Sequence, residues 1–173
     1  MTWRESFTCV GDSQLLRFCN YLSIDSAFCV SGQTIGEIRL RLKQCSSLPT
    51  KVIALVGTND LRRKSVTWPA LRKDYLALIR HLLRRTERLV LVVTPVIPYL
   101  ANSSEHLDLV ERLQHLAYSL RPRLSLVDLR TVSTGSVWAD LFERRYPSGR
   151  PDNLHLNRRA FDLLRAELDK LLG

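Results

Sequence analysis

The chain has 173 residues, of which 45% are hydrophobic and 25% are charged, and its formal net charge of +9 makes it strongly basic. This length is sufficient for a full apolar core, so we expect a single domain over residues 1–173. No apolar run approaches the roughly 18–20 residues that a membrane-spanning helix needs. Residues 1–6 also lack the apolar centre of a secretory signal, and we therefore expect a cytoplasmic protein without a transmembrane segment.

Apolar runs typical of strands alternate with helical periodicity along the chain. In chain order, the predicted elements are a strand over 7–10, a helix over 14–20, a strand over 27–30, a helix over 34–43, a strand over 51–56, a helix over 69–85, a strand over 89–93, a helix over 105–120, a strand over 124–127, a loop over 128–149 and a helix over 157–172. Glu37 completes a capping box with Thr34, and Ser104 is expected to cap the fourth helix. This alternation predicts a three-layer α/β/α fold with a central, mostly parallel five-stranded sheet.

Cysteine and histidine are not arranged as metal ligands. A metal site is typically built from closely spaced pairs of these residues. The cysteines stand at positions 9, 19, 29 and 45, and the histidines at 81, 106, 115 and 155. We expect reduced, mostly buried thiols, no metal and no cofactor, and we expect the histidines at 81, 106 and 115 to be exposed on helices.

Arginine accounts for 21 of the 26 basic residues, which favours phosphate contacts because the guanidinium group binds phosphate in a bidentate manner. The partner would be RNA or an anionic membrane surface. The basic charges are nevertheless spread over several helices, where they also serve solubility alone, so charge leaves both interpretations open. The candidate polyanion-binding residues are Arg62, Arg63, Lys64, Arg84, Arg85, Arg88, Arg144, Arg145, Arg158 and Arg159.

Ser13 stands where the first predicted strand runs into the first helix, in the sequence Gly11-Asp12-Ser13. Such a triplet is by itself more often only a helix cap, because Asp and Ser satisfy the free N–H groups of a helix start. In open α/β sheets, however, ligands bind at the carboxyl ends of the strands. Ser13 is therefore a candidate nucleophile if other segments at that edge supply its partners.

The segments at the same predicted edge contain such partners. Gly32 follows the second strand, Asn59 follows the third, and Asp152 and His155 precede the last helix. A serine hydroxyl needs a base to take its proton, which His155 can do, and Asp152 can orient that base. The backbone N–H groups of Ser13 and Gly32 and the amide of Asn59 can donate to an oxyanion.

These residues resemble the four sequence blocks of the SGNH hydrolases, also called GDSL-type esterases and lipases. The blocks are Gly11-Asp12-Ser13, Ser31-Gly32-Gln33-Thr34, Gly57-Thr58-Asn59-Asp60 and Asp152-Asn153-Leu154-His155, and they occur in the order typical of the family. The second block lacks the asparagine that usually precedes its glycine, so Gly32 is placed by alignment. The resemblance implies the flavodoxin-like SGNH hydrolase fold.

The resemblance also implies a serine esterase that hydrolyses acetyl or longer acyl esters, including lipid esters, through an acyl-enzyme. Ser13 would be the nucleophile, His155 the base and Asp152 its orienting partner, with Ser13, Gly32 and Asn59 forming the oxyanion hole. Asp12 and Asp60 would hold their turns. Candidate pocket residues adjoin the blocks and are Leu61, Pro95, Val96 and Leu154.

A binding function is the alternative to catalysis. The predicted fold is similar to that of RNA-binding domains in germ-plasm proteins that have lost the catalytic residues, and esterase modules similar to this chain occur in proteins of LINE-type retrotransposons. The complete residue set favours an enzyme, whereas the arginine excess favours a non-catalytic or dual-role RNA-binding module.

Overall fold

Five parallel strands form one sheet in residues 3–132 and 138–173, the part of the chain that the computed structural model describes. The strands are β1 (Thr8–Gly11), β2 (Phe28–Cys29), β3 (Lys51–Leu55), β4 (Arg88–Val92) and β5 (Ser125–Val127). They lie in the order β2-β1-β3-β4-β5, and every neighbouring pair is parallel. The predicted α/β fold is confirmed.

Helices connect successive strands and cover both faces of the sheet. They are α1 (Trp3–Ser6), α2 (Ser13–Leu22), α3 (Ile35–Gln44), α4 (Thr58–Leu61), α5 (Trp68–Arg85), α6 (Ser104–Ser119), α7 (Leu129–Val132) and α8 (Arg158–Leu172), with 3-10 turns at Pro98–Leu100, Arg121–Arg123 and Trp138–Leu141. The prediction of a loop over 128–149 is therefore wrong where α7 and the last 3-10 turn lie, and residues 133–137 within it are outside the described part. No helix among the described residues is long and apolar enough to cross a membrane.

The apolar core has two halves, one on each face of the sheet. Ile53 and Leu55 of β3 pack on the side of α2 and α8, whereas Val52 and Ala54 pack on the side of α3, α5 and α6. Both faces of β3 are thus covered by helices, which explains why its sequence is apolar almost throughout.

Side-chain caps define the starts of α3, α6 and α8. The predicted capping box is present, since the Thr34 hydroxyl accepts from the Glu37 N–H and the Glu37 carboxylate accepts from the Thr34 N–H. Ser103 rather than Ser104 caps α6, because its hydroxyl accepts from the N–H of His106, three residues on. Asn157 caps α8 in the same manner.

The absence of a side chain at Gly11 allows α2 to begin directly against the sheet. A Cβ atom at Gly11 would lie 2.5 Å from the Leu55 carbonyl oxygen and 3.0 Å from the Leu15 Cβ atom. Both neighbours are held in place, one by the strand and one by the helix. The close approach of β1, β3 and α2 therefore sets the position of Ser13, the first residue of α2.

Gly11→Ala should lower the free energy of unfolding by about 1–3 kcal/mol, since the strand or the helix must move to accommodate the methyl group. Urea denaturation measures this change. Gly36→Ala is the matched control, because its Cβ would meet only the Asp74 carboxylate at 3.7 Å. That variant should be unchanged or up to about 1 kcal/mol more stable; equal stability of the two variants would contradict the tight packing at Gly11.

Candidate active site

Three side chains from the two ends of the chain form a continuous hydrogen-bonded series. His155 Nδ1 lies 2.9 Å from Asp152 Oδ1, and His155 Nε2 lies 3.1 Å from Ser13 Oγ. A carboxylate only accepts hydrogen bonds, so Nδ1 carries the ring proton and Nε2 is free to accept from the serine hydroxyl. All three residues are buried.

A tight turn holds Asp152 and His155 in this arrangement. Asp152 Oδ1 accepts from the backbone N–H groups of Leu154 and His155, both at 3.1 Å. Asn153 between them has a φ of +47°, a left-handed conformation that asparagine tolerates better than most residues. Backbone hydrogen bonds from Glu143 N–H to the His155 carbonyl (2.7 Å) and from Asn153 N–H to the Glu143 carbonyl (2.7 Å) attach the turn to the preceding segment.

Gln14 joins this turn to the start of α2. Its side-chain Nε2 donates to the Leu154 carbonyl at 2.6 Å, and its Oε1 accepts from the Leu156 N–H at 2.9 Å. The amide thus binds the backbone on both sides of His155 while its own backbone follows Ser13. The sequence analysis did not identify this role. The position of Gln14, a polar residue on the apolar side of the predicted helix, was the feature that could have indicated it.

Arg17 and Tyr146 cover the exposed side of the His155–Asp152 pair. Arg17 Nη1 lies 3.5 Å from Asp152 Oδ2, and its guanidinium carbon lies 5.8 Å from the centre of the Tyr146 ring. The Tyr146 ring meets the imidazole of His155 edge-on, with 5.7 Å between centroids. Arg17 was also missed, although its position four residues after Ser13 on one helix indicated a shared face.

Burial lowers the pKa of His155 below its ordinary value, because the protein interior disfavours the charged imidazolium. The hydrogen bond to Asp152 opposes this change, whereas the positive charges of Arg17 and Arg62 add to it. His155 is therefore neutral at pH 7, the form that can accept a proton.

Asn59, in α4, lies beside the first and second sequence blocks. Its Nδ2 donates to the Gln33 carbonyl at 3.0 Å and lies 3.4 Å from Asp12 Oδ2, while its Oδ1 accepts from Arg62 at 3.3 Å. Gly32, next to Gln33, is exposed and has a φ of +79°. The structure thus brings the segment after β2 to Asn59, with Gly32 one residue from the contact.

The two aspartates of the blocks hold backbone N–H groups. Asp12 Oδ1 accepts from the Gln14 N–H at 2.9 Å, and Asp60 Oδ2 accepts from the Ile35 N–H at 3.0 Å. Asp60 thereby ties α4 to the start of α3 in addition to its own turn. Burial raises the pKa of Asp12 to about 7 and that of Asp60 to about 6.

The ten candidate polyanion-binding residues do not form one surface. Three of them lie near the amino ends of the strands, whereas Ser13 lies at the carboxyl ends. These three are Arg84, Arg85 and Arg88. There Arg85 donates to the Cys45 and Ser46 carbonyls and Arg88 to the Leu171 carbonyl. The other seven follow the carboxyl ends of strands and are Arg62, Arg63, Lys64, Arg144, Arg145, Arg158 and Arg159.

The expectation for the helical histidines is wrong in one case. His115 is exposed and His81 is half-buried, but only 4% of His106 is exposed. The end of α4 packs against this part of α6, so that His106 Nδ1 lies 3.3 Å from the Leu61 carbonyl. The four cysteines are free, and all but Cys45 are buried.

Solved structures similar to this chain include an OSK domain and GDSL-type proteins. The OSK domain of Drosophila Oskar superposes with a TM-score of 0.75 at 22% identity, covering 94% of this chain and 88% of that chain. A lipolytic protein of the G-D-S-L family from Veillonella parvula gives 0.69 at 14% identity, covering 95% and 96%. A GDSL-like lipase from Bacteroides thetaiotaomicron gives 0.68 at 15% identity, covering 98% and 88%. A search of curated proteins finds no match.

The chain is therefore an α/β protein with the fold of the GDSL-type hydrolase structures. Within that class the family model of the OSK domain matches residues 14–133, more than half of the chain, and the chain belongs to the OSK domain family. With the GDSL-type hydrolases the chain shares the fold. Ser13 and the turn with Asp152 and His155 lie outside the matched residues.

Arg17→Gln should raise the pKa of His155, because it removes a cation that disfavours the imidazolium. NMR titration of the His155 ring protons measures the pKa. Arg17→Lys is the matched control, since it keeps the charge and should leave the pKa nearly as low as in the unmodified chain. A pKa that stays the same in Arg17→Gln would contradict the electrostatic effect of Arg17.

Proposed function

We propose that this protein is a serine esterase that hydrolyses carboxylic esters through an acyl-enzyme at Ser13. The observation that carries the proposal is the hydrogen-bonded series from Asp152 Oδ1 through His155 to Ser13 Oγ, with distances of 2.9 and 3.1 Å. A serine hydroxyl becomes a useful nucleophile when a neutral base is in hydrogen-bond contact with it, and a carboxylate on the far side of that base fixes its tautomer.

In the first half of the reaction, Ser13 Oγ attacks the ester carbonyl carbon while His155 Nε2 takes the hydroxyl proton. Asp152 stabilises the resulting imidazolium without itself taking the proton. Collapse of the tetrahedral intermediate breaks the bond to the alcohol, and His155 passes the proton to the departing oxygen. In the second half, water takes the place of the alcohol, and His155 assists its attack on the acyl-enzyme.

The negative charge on the tetrahedral intermediate needs hydrogen-bond donors that are already in place. The N–H group of Ser13 at the start of α2 has the favourable position, because the helix dipole adds a partial positive charge there. We assign Asn59 Nδ2 and the Gly32 N–H as the other donors. The contact of Asn59 with Gln33 brings this amide next to Gly32, and donation to the oxyanion would replace one of its hydrogen bonds to Gln33 and Asp12.

The lowered pKa of His155 suits this role, because it favours the neutral imidazole, the form that accepts the serine proton. The lowered pKa also makes the imidazolium harder to form, and the hydrogen bond to Asp152 offsets that cost. Gln14 is expected to act as a positioning residue, since it holds the backbone on both sides of His155.

Ser13→Ala should abolish the hydrolysis of 4-nitrophenyl acetate, with kcat/KM falling by at least about 10³-fold, because the acyl-enzyme cannot form. Release of 4-nitrophenol measures the rate. Ser119→Ala is the matched control. Ser119 is an exposed serine at the end of α6 and belongs to none of the four sequence blocks, so its replacement should leave turnover unchanged. Turnover in Ser13→Ala equal to that of the unmodified chain would contradict the catalytic proposal.

RNA binding is the second candidate function. The observation that favours it is the position of the seven basic residues beyond the carboxyl ends of the strands, where Arg144 and Arg158 are exposed. In this alternative the seven residues contact phosphate groups along a single strand, and Ser13 is not required. A dual role is also compatible with this arrangement. The origin in a retrotransposon protein stays a prediction.

If RNA binds through this surface, the logarithm of its affinity should fall linearly with the logarithm of salt concentration, by about 0.7 per phosphate contact. Arg144→Gln with Arg145→Gln should reduce the slope by about 1.4. Fluorescence anisotropy with a labelled single-stranded RNA measures the affinity. Arg123→Gln is the control, because Arg123 lies just before the amino end of β5, and this variant should keep the slope. A flat salt response would contradict phosphate contact altogether.

A further inference from the structure

A cavity of about 370 Å³ lies beside α4, between the segment that follows this helix and the start of α6. Its walls are apolar at Leu61, Val66 and Leu109 and basic at Arg62, Arg63 and Lys64. Arg63 forms an ion pair with Glu37 at 3.6 Å, and Glu105 contributes a negative charge to the rim. Arg63 thus shares its charge with Glu37, and Arg62 and Lys64 are two further cations in the cavity wall.

Arg62 links this cavity to the candidate active site. Its guanidinium lines the cavity, and its Nη1 donates to Oδ1 of Asn59 at 3.3 Å. Its charge also reaches the imidazole of His155, where it disfavours protonation. A ligand in the cavity thus contacts a residue that directly orients the proposed oxyanion-hole amide.

The cations near His155 are unfavourable for the proposed reaction as it stands. His155 must become an imidazolium during the attack, and both Arg17 and Arg62 oppose that charge. A negative charge brought by the substrate beside Arg62 would offset the repulsion at the moment it matters. The electrostatics of the site therefore favour an anionic substrate over a neutral one.

His106 contributes a second, independent feature of the cavity. Its Nδ1 lies 3.3 Å from the Leu61 carbonyl, which only accepts, so Nδ1 carries the ring proton. Burial lowers the pKa of His106, and the neutral ring then presents Nε2 as an acceptor. This atom is buried and has no hydrogen-bond partner among the residues that the structure describes. His106 is therefore an uncharged part of the cavity wall and adds no positive charge to it.

We propose that the cavity beside α4 binds a phosphate- or carboxylate-bearing part of the substrate, so that the esters hydrolysed at Ser13 are anionic. The inference rests on the proposed esterase function. Hydrolysis itself is unchanged: water supplies the oxygen of the released acid, the alcohol leaves with a proton, and the anionic group remains on whichever product carries it. The charge is borne by the acyl group or by the alcohol, and the test distinguishes these two sources.

Two matched substrate pairs test the proposal with the full chain. Mono-4-nitrophenyl adipate against 4-nitrophenyl hexanoate places the charge on the acyl side, and 4-acetoxyphenyl phosphate against phenyl acetate places it on the alcohol side. We expect the anionic member of at least one pair to have a kcat/KM about tenfold higher or more, the effect of one charge-assisted hydrogen bond. Lys64→Gln should reduce this preference severalfold, and Arg123→Gln, which changes a residue outside the cavity, should preserve it.

A direct binding measurement tests the cavity separately from ester hydrolysis. Phenyl phosphate should bind to the Ser13→Ala chain, and Lys64→Gln in that background should weaken binding at least about fivefold by calorimetry. Hydrolysis that depends on Ser13 but shows no preference in either pair would overturn the inference and leave the esterase proposal standing. Phenyl phosphate binding that is absent, or unaffected by Lys64→Gln, would overturn the inference as well. If the unmodified chain hydrolyses none of the four esters, that result would contradict the esterase proposal itself.

Discussion

The candidate site depends on one contact between distant parts of the chain, the attachment of the Asp152–His155 turn to the start of α2. Ser13 and His155 are 142 positions apart in sequence, and their side chains meet at 3.1 Å. The Gln14 amide fixes this contact, because its two hydrogen bonds, at 2.6 and 2.9 Å, hold the backbone on both sides of His155. Since Gln14 follows Ser13 directly, Ser13 and the residue that holds the backbone beside His155 are neighbours on one helix.

Electrostatics at the carboxyl ends of the strands combine burial with an excess of positive charge. Burial raises the pKa of Asp12 to about 7 and lowers the pKa of His155, so both groups tend towards their neutral forms. Arg17 and Arg62 are cations at the same place, one beside Asp152 and one beside Asn59. This arrangement suits a site that receives an anion, whether an ester with an acidic group or the backbone of RNA. Membership of the OSK domain family is compatible with both, because the match covers neither Ser13 nor His155.

The sequence predicted the fold and the meeting of the block of Ser13 with that of Asn59 because three of the four blocks adjoin the end of a strand, and parallel strands bring those ends to one edge. Contacts that form only after folding were not predictable in the same way. The role of Gln14 depends on a turn 140 residues away, and the burial of His106 depends on the packing of α4 against α6. The clustering of arginines by sequence also did not separate the two edges of the sheet, since α5 carries Arg84 and Arg85 to the end opposite Ser13.

Covalent labelling of Ser13 tests the central claim most directly, because it reports nucleophilic character without requiring the natural substrate. We predict that a fluorophosphonate probe adds once to the chain, that peptide mass spectrometry locates the adduct on Ser13, and that His155→Ala slows its formation by at least about a hundredfold. Absence of an adduct, or an adduct on another residue that forms equally fast in His155→Ala, would contradict an activated serine at this site.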